Sequence, residues 1–255
     1  VYLDGYLISN FLGRFDAPRW NMVNVESIER IDALYGPFSA IYPGNSIGTT
    51  LIVTERKPRG LEASASIKLN QQGFNEYATS ESYTSKQLSA RIASRLDSGL
   101  WYSLSMQHQD SMGHPMGYAN AVRGATSGAF ATATAAAKAV TGIVYDRDTQ
   151  NRERALFGAT GMDHNKQATV NPRVGYDPSS PQEIEARVAW WHDDSTVTNT
   201  TWLRDAAGNP VWSGLVKDGA RQFSVASNAF APNTRDEVHR QLGATWKTKH
   251  AKGWN

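Results

Sequence analysis

The sequence contains no cysteine and no apolar run long enough to cross a membrane as a helix. Without cysteine these residues form no disulfide framework, no thiolate metal site and no cysteine nucleophile. A membrane-spanning helix needs roughly 20 consecutive apolar residues. The least polar stretch, residues 128–141, is shorter than that, rich in Ala and Thr, and interrupted by Lys138. Disulfide scaffolds and helical membrane spans are therefore excluded for these residues.

The sequence also lacks a large net charge of either sign: it has 26 basic and 24 acidic residues, and the formal net charge is +2. Nucleic-acid partners need a basic patch or stripe, so none is expected. Pieces of a hydrolase triad are offered by Asp163-His164, Asp194-Ser195 and His239, but no Gly-x-Ser-x-Gly elbow holds a nucleophile. The chain is not expected to be an enzyme or to carry a cofactor.

Aromatic residues are present in number, with 8 Trp and 10 Tyr, although the mean hydropathy is −0.49. A soluble core rarely combines many aromatics with a hydrophilic average. The combination is typical of a β-barrel that exposes its apolar residues to lipid and fills its interior with polar ones.

From residue 61 onward, apolar and polar residues alternate with a period of two. Alternation of this kind predicts strands with one apolar and one polar face. Six such strands are predicted to form a sequential antiparallel meander, over residues 61–71, 75–96, 100–110, 168–176, 183–193 and 236–247. Within 75–96 the apolar phase slips by one residue near Thr84 to Gln87, which predicts a bulge.

The connections between these strands alternate between short and very long, with residues 112–167 and 194–235 as the long ones. Outer-membrane barrels have this asymmetry, whereas sandwiches use short loops at both ends. Ile184, Ala186, Val188 and Trp190 are expected to face lipid, and Glu185 and Arg187 the interior. We accordingly expect Val188→Arg to cost roughly 2–4 kcal/mol and Arg187→Val far less. Trp190 and Tyr102 are candidates for the aromatic girdles.

The first 60 residues differ in texture and contain five motifs whose order and spacing resemble the C-terminal half of the plug of TonB-dependent outer-membrane receptors. These motifs are Val1-Tyr2-Leu3-Asp4-Gly5, Ile28-Glu29-Arg30-Ile31-Asp32-Ala33-Leu34-Tyr35-Gly36-Pro37, Ser39-Ala40-Ile41-Tyr42, Asn45-Ser46-Ile47-Gly48 and Leu51-Ile52-Val53-Thr54-Glu55-Arg56-Lys57-Pro58.

The resemblance implies a mainly β chain with a partial plug domain over residues 1–60. The first strands of an antiparallel transmembrane β-barrel of about 22 strands follow over residues 61–255. The implied function is an outer-membrane receptor that binds an extracellular nutrient, above all a ferric siderophore or similar metal chelate. Its expected partners are outer-membrane lipid and a TonB-type energy-transducing protein of the inner membrane. A signal peptide, a TonB box, the first plug half and the remaining strands are expected elsewhere in a longer protein.

In that family the segment after the Asp-Gly strand rises to the top of the plug and faces the extracellular vestibule. Here this segment runs from residue 10 to 21, and its candidate ligand-binding residues are Phe11, Arg14, Phe15, Arg19 and Trp20. Aromatic rings suit an apolar ligand body and guanidinium groups suit anionic oxygens. The alternative is that these rings pack the plug against the barrel wall.

Several interpretations stay open at this point. Met106, His108, Met112, His114 and Met116 have a spacing that would suit copper, or they form an ordinary strand that runs into a polar loop. The arginines on polar strand faces line a ligand path, form solvated wall or contact the plug; they are Arg91, Arg95, Arg173 and Arg187. The alternative function is a soluble or surface carbohydrate-binding β-protein without transport activity.

Overall fold

The computed structural model describes residues 1–8, 22–35, 49–178 and 181–248. These residues are mainly β, in antiparallel sheets with almost no helix. They form a small sheet near the amino terminus, a large sheet of long strands, and a cap built from two long connections.

The small sheet has the strand order β2-β1-β4-β3. Its strands are β1 Tyr2–Leu3, β2 Tyr6–Leu7, β3 Ile28–Tyr35 and β4 Thr49–Glu55. One 3₁₀ turn, Val25–Ser27, precedes β3, and the Asn24 side chain caps it by accepting a hydrogen bond from the Glu26 backbone N–H. Leu3, Ile8, Val23 and Val53 form the core beneath this sheet.

The large sheet has the strand order β16-β13-β12-β7-β6-β5, with every neighbouring pair antiparallel. Its strands are β5 Glu62–Glu76, β6 Thr79–Arg95, β7 Leu100–Met112, β12 Glu153–Tyr176, β13 Gln182–Thr201 and β16 Asn233–Thr248. Within the described residues β5 and β16 are its two edges, and no closure into a barrel is seen.

The six predicted segments correspond to these strands in the predicted order, although 75–96 also takes in the end of β5 and the turn before β6. Two further details of the prediction are wrong. The β5–β6 register runs without a shift from Glu62↔Ala93 to Glu76↔Thr79, so the expected bulge is absent. The apparent slip arises because Tyr83 lies on the polar face, where its ring meets Phe74 edge-on with centroids 6.3 Å apart. The long connections are also shorter than the predicted 112–167 and 194–235, since β12 already begins at Glu153 and β13 extends to Thr201.

The polarity of the large sheet is the reverse of that in a soluble sandwich. One face, here called the apolar face, exposes large hydrophobic residues, including Ile67, Leu69, Ile92, Tyr102, Met106, Val174, Ile184, Val188, Leu242 and Trp246. The other, here called the polar face, buries Ser89, Arg91, Ser103, Ser105, Gln107, Asn171, Arg173 and Arg187. Val188 and Arg187 therefore lie on the faces expected for them.

The cap combines elements from both long connections. The first connection contributes β8 Gly117–Val122, β9 Ala131–Thr132, β10 Lys138–Ala139 and β11 Val144–Arg147, and the second contributes β14 Gly214–Asp218 and β15 Arg221–Val225. Strands from the two connections pair in one sheet of order β10-β14-β15-β9. Phe157, Leu203, Val216 and Phe223 are among the residues that share its core.

A glycine on the polar face makes room for a buried tryptophan. Gly175 pairs directly with Trp101 across β12 and β7, and Trp101 has no exposed surface. A Cβ added at Gly175 would lie 2.4 Å from ring atoms of Trp101, which is far inside van der Waals contact. The Arg173 guanidinium lies 5.3 Å from the centroid of the same ring. Gly175 therefore also permits the contact between Trp101 and Arg173.

We expect Gly175→Val to displace the Trp101 ring and to lower the free energy of unfolding by about 1–3 kcal/mol, the usual cost of overpacking. The measurement is urea unfolding in detergent, followed by tryptophan fluorescence. Gly73→Val is the matched control, because a Cβ at Gly73 in β5 meets nothing within 4 Å. Equal stability of the two variants would contradict this account of Gly175.

Candidate functional site

The small sheet and its 3₁₀ turn lie against the polar face of the large sheet. The Asn171 side-chain amide donates to the Met22 carbonyl oxygen at 2.9 Å. The Ser89 hydroxyl donates to the Glu26 carboxylate at 2.7 Å. Met22 also packs with Ala189 and Trp191 in a small buried cluster. These polar side chains of the large sheet are thus covered by, and bonded to, residues near the amino terminus.

Two carboxylates of the small sheet come together because β1 and β4 are parallel neighbours. Leu3 pairs with Val53, so Asp4 and Glu55, just beyond the paired residues, lie side by side at the same end of the two strands. The Asp4 carboxylate accepts a hydrogen bond from the Glu55 backbone N–H at 2.9 Å. Asp4 itself takes a positive φ of 48° in the turn to β2, a conformation that Asp tolerates better than most residues.

Two arginines of the large sheet face these carboxylates. Arg173 and Arg187 are direct partners across β12 and β13, and like charges in that position destabilise a sheet by themselves. Their side chains are 3% and 1% exposed, so water contributes little solvation. Two buried positive charges therefore require anions from another element.

The anions are Asp4, Glu55 and Glu185, and together with the two arginines they form what we call the charge cluster. Arg187 lies 3.0 Å from the Asp4 carboxylate and 2.6 Å from that of Glu55. Arg173 lies 2.8 Å from the Glu185 carboxylate and 3.2 Å from that of Asp4. Ser27 completes it with a hydroxyl that donates to Glu55 at 2.6 Å.

The pKa values of the two small-sheet carboxyls, Asp4 and Glu55, shift in opposite directions in this setting. Burial alone would raise the pKa of Glu55, but Arg173, Arg187 and the Ser27 hydroxyl outweigh it, and the pKa lies below its ordinary value. Burial raises the pKa of Asp4 and outweighs the opposing effect of Arg173. Because the two groups interact, they titrate as a pair.

A second contact seats the turn after Asp4. The Tyr6 ring lies over Gly243 of β16, where an added Cβ would be 2.3 Å from a ring atom. The Tyr6 hydroxyl shares a hydrogen bond of 3.2 Å with the Thr245 hydroxyl, and the Arg187 guanidinium lies 5.5 Å from the ring centroid. A cavity of about 1140 Å³ opens beside the cluster, lined by Asp4, Tyr6, Glu55, Arg173, Glu185 and Thr245 among others.

The predicted ligand-binding residues Phe11, Arg14, Phe15, Arg19 and Trp20 lie outside the described residues, so their role stays a prediction. The four arginines singled out in the sequence all have carboxylate partners: Arg91 pairs with Glu62, Arg95 with Asp177, and the other two with the charge cluster.

The Met and His side chains with copper-like spacing are not brought together as one ligand set. His108 lies on the apolar face, in line with Leu88 and Ala168. His114 instead stacks on Phe74 of the polar face, with ring centroids 4.9 Å apart. Within the described residues no group of three or more His, Cys, Asp or Glu side chains is placed to hold a metal ion.

Sequence reasoning missed the acidic half of the charge cluster. Asp4 and Glu55 belong to two of the quoted motifs, but no role was predicted for them. Their proximity depends on the parallel pairing of β1 with β4. The signal that was available is the occurrence of Arg173 and Arg187 on the polar faces of consecutive predicted strands, because two such charges demand acidic partners.

Comparisons with protein-family models, with curated proteins and with solved structures find no match to this chain. In the part of the chain that the structure describes, no helix is long and apolar enough to cross a membrane.

The structure revises the expectation that Arg187→Val costs far less than Val188→Arg. Removal of Arg187 leaves Asp4 and Glu55 buried with one arginine between them, and breaking a buried pair in this way costs about 3–5 kcal/mol. We expect Arg187→Met to lower the free energy of unfolding by that amount in urea titrations of the chain in detergent.

Arg123→Met is the control, because the Arg123–Glu153 pair is largely exposed and such pairs contribute little. In a double-mutant cycle, Arg187→Met should cost much less when Glu55→Gln is already present. Additive losses would contradict a direct interaction between the two side chains.

A pH dependence follows from the two opposite pKa directions. A carboxyl whose folded pKa is lowered, as for Glu55, stabilises the fold above its ordinary value of 4.5 and loses this effect as the pH falls below it. A carboxyl whose folded pKa is raised above 3.8, as for Asp4, takes up its proton at a higher pH in the folded chain than in the unfolded chain. This difference favours the fold on acidification. Asp4→Asn should therefore lose stability more steeply than the parent chain below about pH 4.5. Parallel curves of unfolding free energy against pH would refute this.

Proposed function

We propose that the chain is part of an outer-membrane receptor whose strands β5, β6, β7, β12, β13 and β16 cross the bilayer. Residues 1–60 occupy the lumen as part of a plug, and the cap faces the outside. The receptor binds an extracellular ferric siderophore or similar metal chelate and imports it with energy from a TonB-type protein of the inner membrane.

The observation that carries this proposal is the reversed polarity of the large sheet. Val188, Leu242 and Trp246 lie on an exposed face, while Arg91, Arg173 and Arg187 lie on a covered one. In water, an exposed apolar surface across six strands is unfavourable and marks an interaction site. Hydrocarbon is the environment in which that surface is stable and in which every strand must pair.

The seating of the small sheet supports the assignment of residues 1–60 as plug. A barrel of about 22 strands is too wide to be filled by its own side chains and needs a lumen domain. The polar face carries the charges and amides that such a domain would contact, and the small sheet supplies Asp4, Glu26 and Glu55 to meet them. Energy from the partner would then act on contacts of this kind.

A soluble carbohydrate-binding β-protein is the competing proposal, and the apolar face argues against it. In a soluble protein the face with Ile67, Leu69 and Leu242 would need another layer to cover it, yet within the described residues these side chains are each more than 70% exposed. The cap with its aromatic residues is compatible with either proposal, so the lipid-facing surface is the feature to test.

We expect Val188→Arg to reduce the amount of the full-length receptor that reaches the outer membrane in a heat-modifiable form, and with it the uptake of radioactive ferric iron by iron-starved cells. The reason is that a cation on the lipid face near the bilayer midplane costs about 2–4 kcal/mol. The measurements are detergent gels of membrane fractions, with and without boiling, and iron uptake from a ferric chelate supplied outside.

Gln87→Arg is the matched control, since Gln87 pairs with Gln109 and lies on the polar face. It should leave insertion and uptake unchanged. Extraction of the parent receptor without detergent would overturn the membrane assignment. Normal insertion with no iron uptake, from any chelate tried, would overturn the transport assignment alone.

A further inference from the structure

Three tyrosines near the turn between β5 and β6 each donate a hydrogen bond to a carboxylate. Tyr77 donates to Asp146 at 2.8 Å, and Tyr118 donates to Glu76 at 2.8 Å. Tyr83 donates to Glu81 at 3.2 Å. The Tyr77–Asp146 and Tyr118–Glu76 pairs join the β5–β6 hairpin to the first long connection, whereas Tyr83 and Glu81 both lie in β6.

These pairs lie on the face that carries the small sheet. Glu76 and Glu62 are both even-numbered residues of β5, and Glu62 contacts Arg91 of the polar face. Side chains two residues apart on a strand share a face, so Phe74 and Glu76 lie on the polar face at the other end of β5. If the chain is a receptor as proposed, this end is the extracellular mouth of the lumen.

Three rings meet at this place from separate parts of the chain. Tyr77 and Tyr118 are nearly perpendicular, with ring centroids 4.8 Å apart. Tyr118 and Trp202 are tilted, with ring centroids 5.8 Å apart. All three keep exposed surface. Angled aromatic faces of this kind cover the carbon skeleton of an organic ligand and attract positive charge to their π faces.

The surroundings of these rings are negative. Arg154 pairs with Asp146, but within the described residues Glu76 and Glu81 form no ion pair with a cation. A backbone N–H and the side chains of Arg154 and Tyr77 lower the pKa of Asp146 to about 2. At neutral pH three carboxylates therefore face one guanidinium, and a ligand that arrives here meets a net negative potential.

From this geometry we propose that Tyr77, Tyr118 and Trp202, with Glu76, Glu81 and Asp146, form a binding surface for a ferric chelate of neutral or positive net charge. The proposal rests on the function proposed above and narrows its substrate class. A ferric tris-hydroxamate core is neutral, because three singly charged groups balance the ion, and an amine on its backbone makes it cationic. A ferric tris-catecholate is a trianion.

Electrostatics separates the two classes. Charges a few ångströms apart at a protein surface interact by several kcal/mol at an effective dielectric constant near 20. Carboxylates that repel a trianion and attract an ammonium group therefore discriminate strongly between the chelates. The aromatic rings contact the carbon skeleton of both chelates, so they raise the affinity for each without discriminating between them.

The test is a titration of the full-length receptor in detergent with two probes, a linear tris-hydroxamate and a tricatecholate, each loaded with ferric iron. Quenching of tryptophan fluorescence reports binding. We expect at least tenfold tighter binding of the tris-hydroxamate. The double variant Glu76→Gln, Glu81→Gln should narrow that preference, and Tyr118→Ala should weaken tris-hydroxamate binding at least tenfold.

Tyr145→Ala is the control for the rings, since Tyr145 donates to Asp218 elsewhere in the cap, and it should leave both affinities unchanged. Heat-modifiable migration of each variant verifies folding. Tighter binding of the tricatecholate, or a Glu76→Gln, Glu81→Gln receptor with unchanged preference, overturns this inference while the receptor function stands. Binding of neither chelate by the folded parent receptor overturns both.

Discussion

Two guanidinium groups buried side by side are the constraint on which the rest of the assembly depends. Arg173 and Arg187 are cross-strand partners on the polar face, and a sheet does not tolerate two buried like charges there. The small sheet supplies Asp4 and Glu55, and its own parallel pairing brings these carboxylates into one place. The charges of the large sheet therefore determine where the small sheet binds. The close packing of Tyr6 against Gly243 adds steric complementarity to this contact.

The charge cluster also explains how the large sheet combines a polar covered face with an apolar exposed one. Buried amides, hydroxyls and arginines are costly without hydrogen-bond partners. Ser89, Asn171 and Arg187 each bond to a group of the amino-terminal residues. The apolar face needs no protein partner if lipid covers it. Both faces thus follow from the same alternation along the strands, with protein groups as partners of the polar face and, in the proposed function, lipid as the partner of the apolar face.

The strands were predictable because alternation is local, whereas their partners and ends were not. The segment 183–193 alternates plainly and is a strand, but Glu153 to Gln167 reads as loop because Phe157 and its neighbours pack into a cap core made by distant residues. Tyr83 led to the wrong prediction of a bulge, because an aromatic residue on the polar face makes the apolar alternation appear to shift by one residue. Arg187 was placed on the correct face, but its cost of removal depends on Asp4, which lies 183 positions away in sequence.

The joint construction of the cap has a consequence for how the two long connections can vary. Surface connections usually tolerate insertions and deletions one at a time. Here Lys138 pairs with Val216 and Ala131 with Gln222, so each connection forms part of the other's backbone ladder. An insertion in one must be matched by a compensating change in the other, and an antibody raised against either would recognise a surface that exists only when both are present.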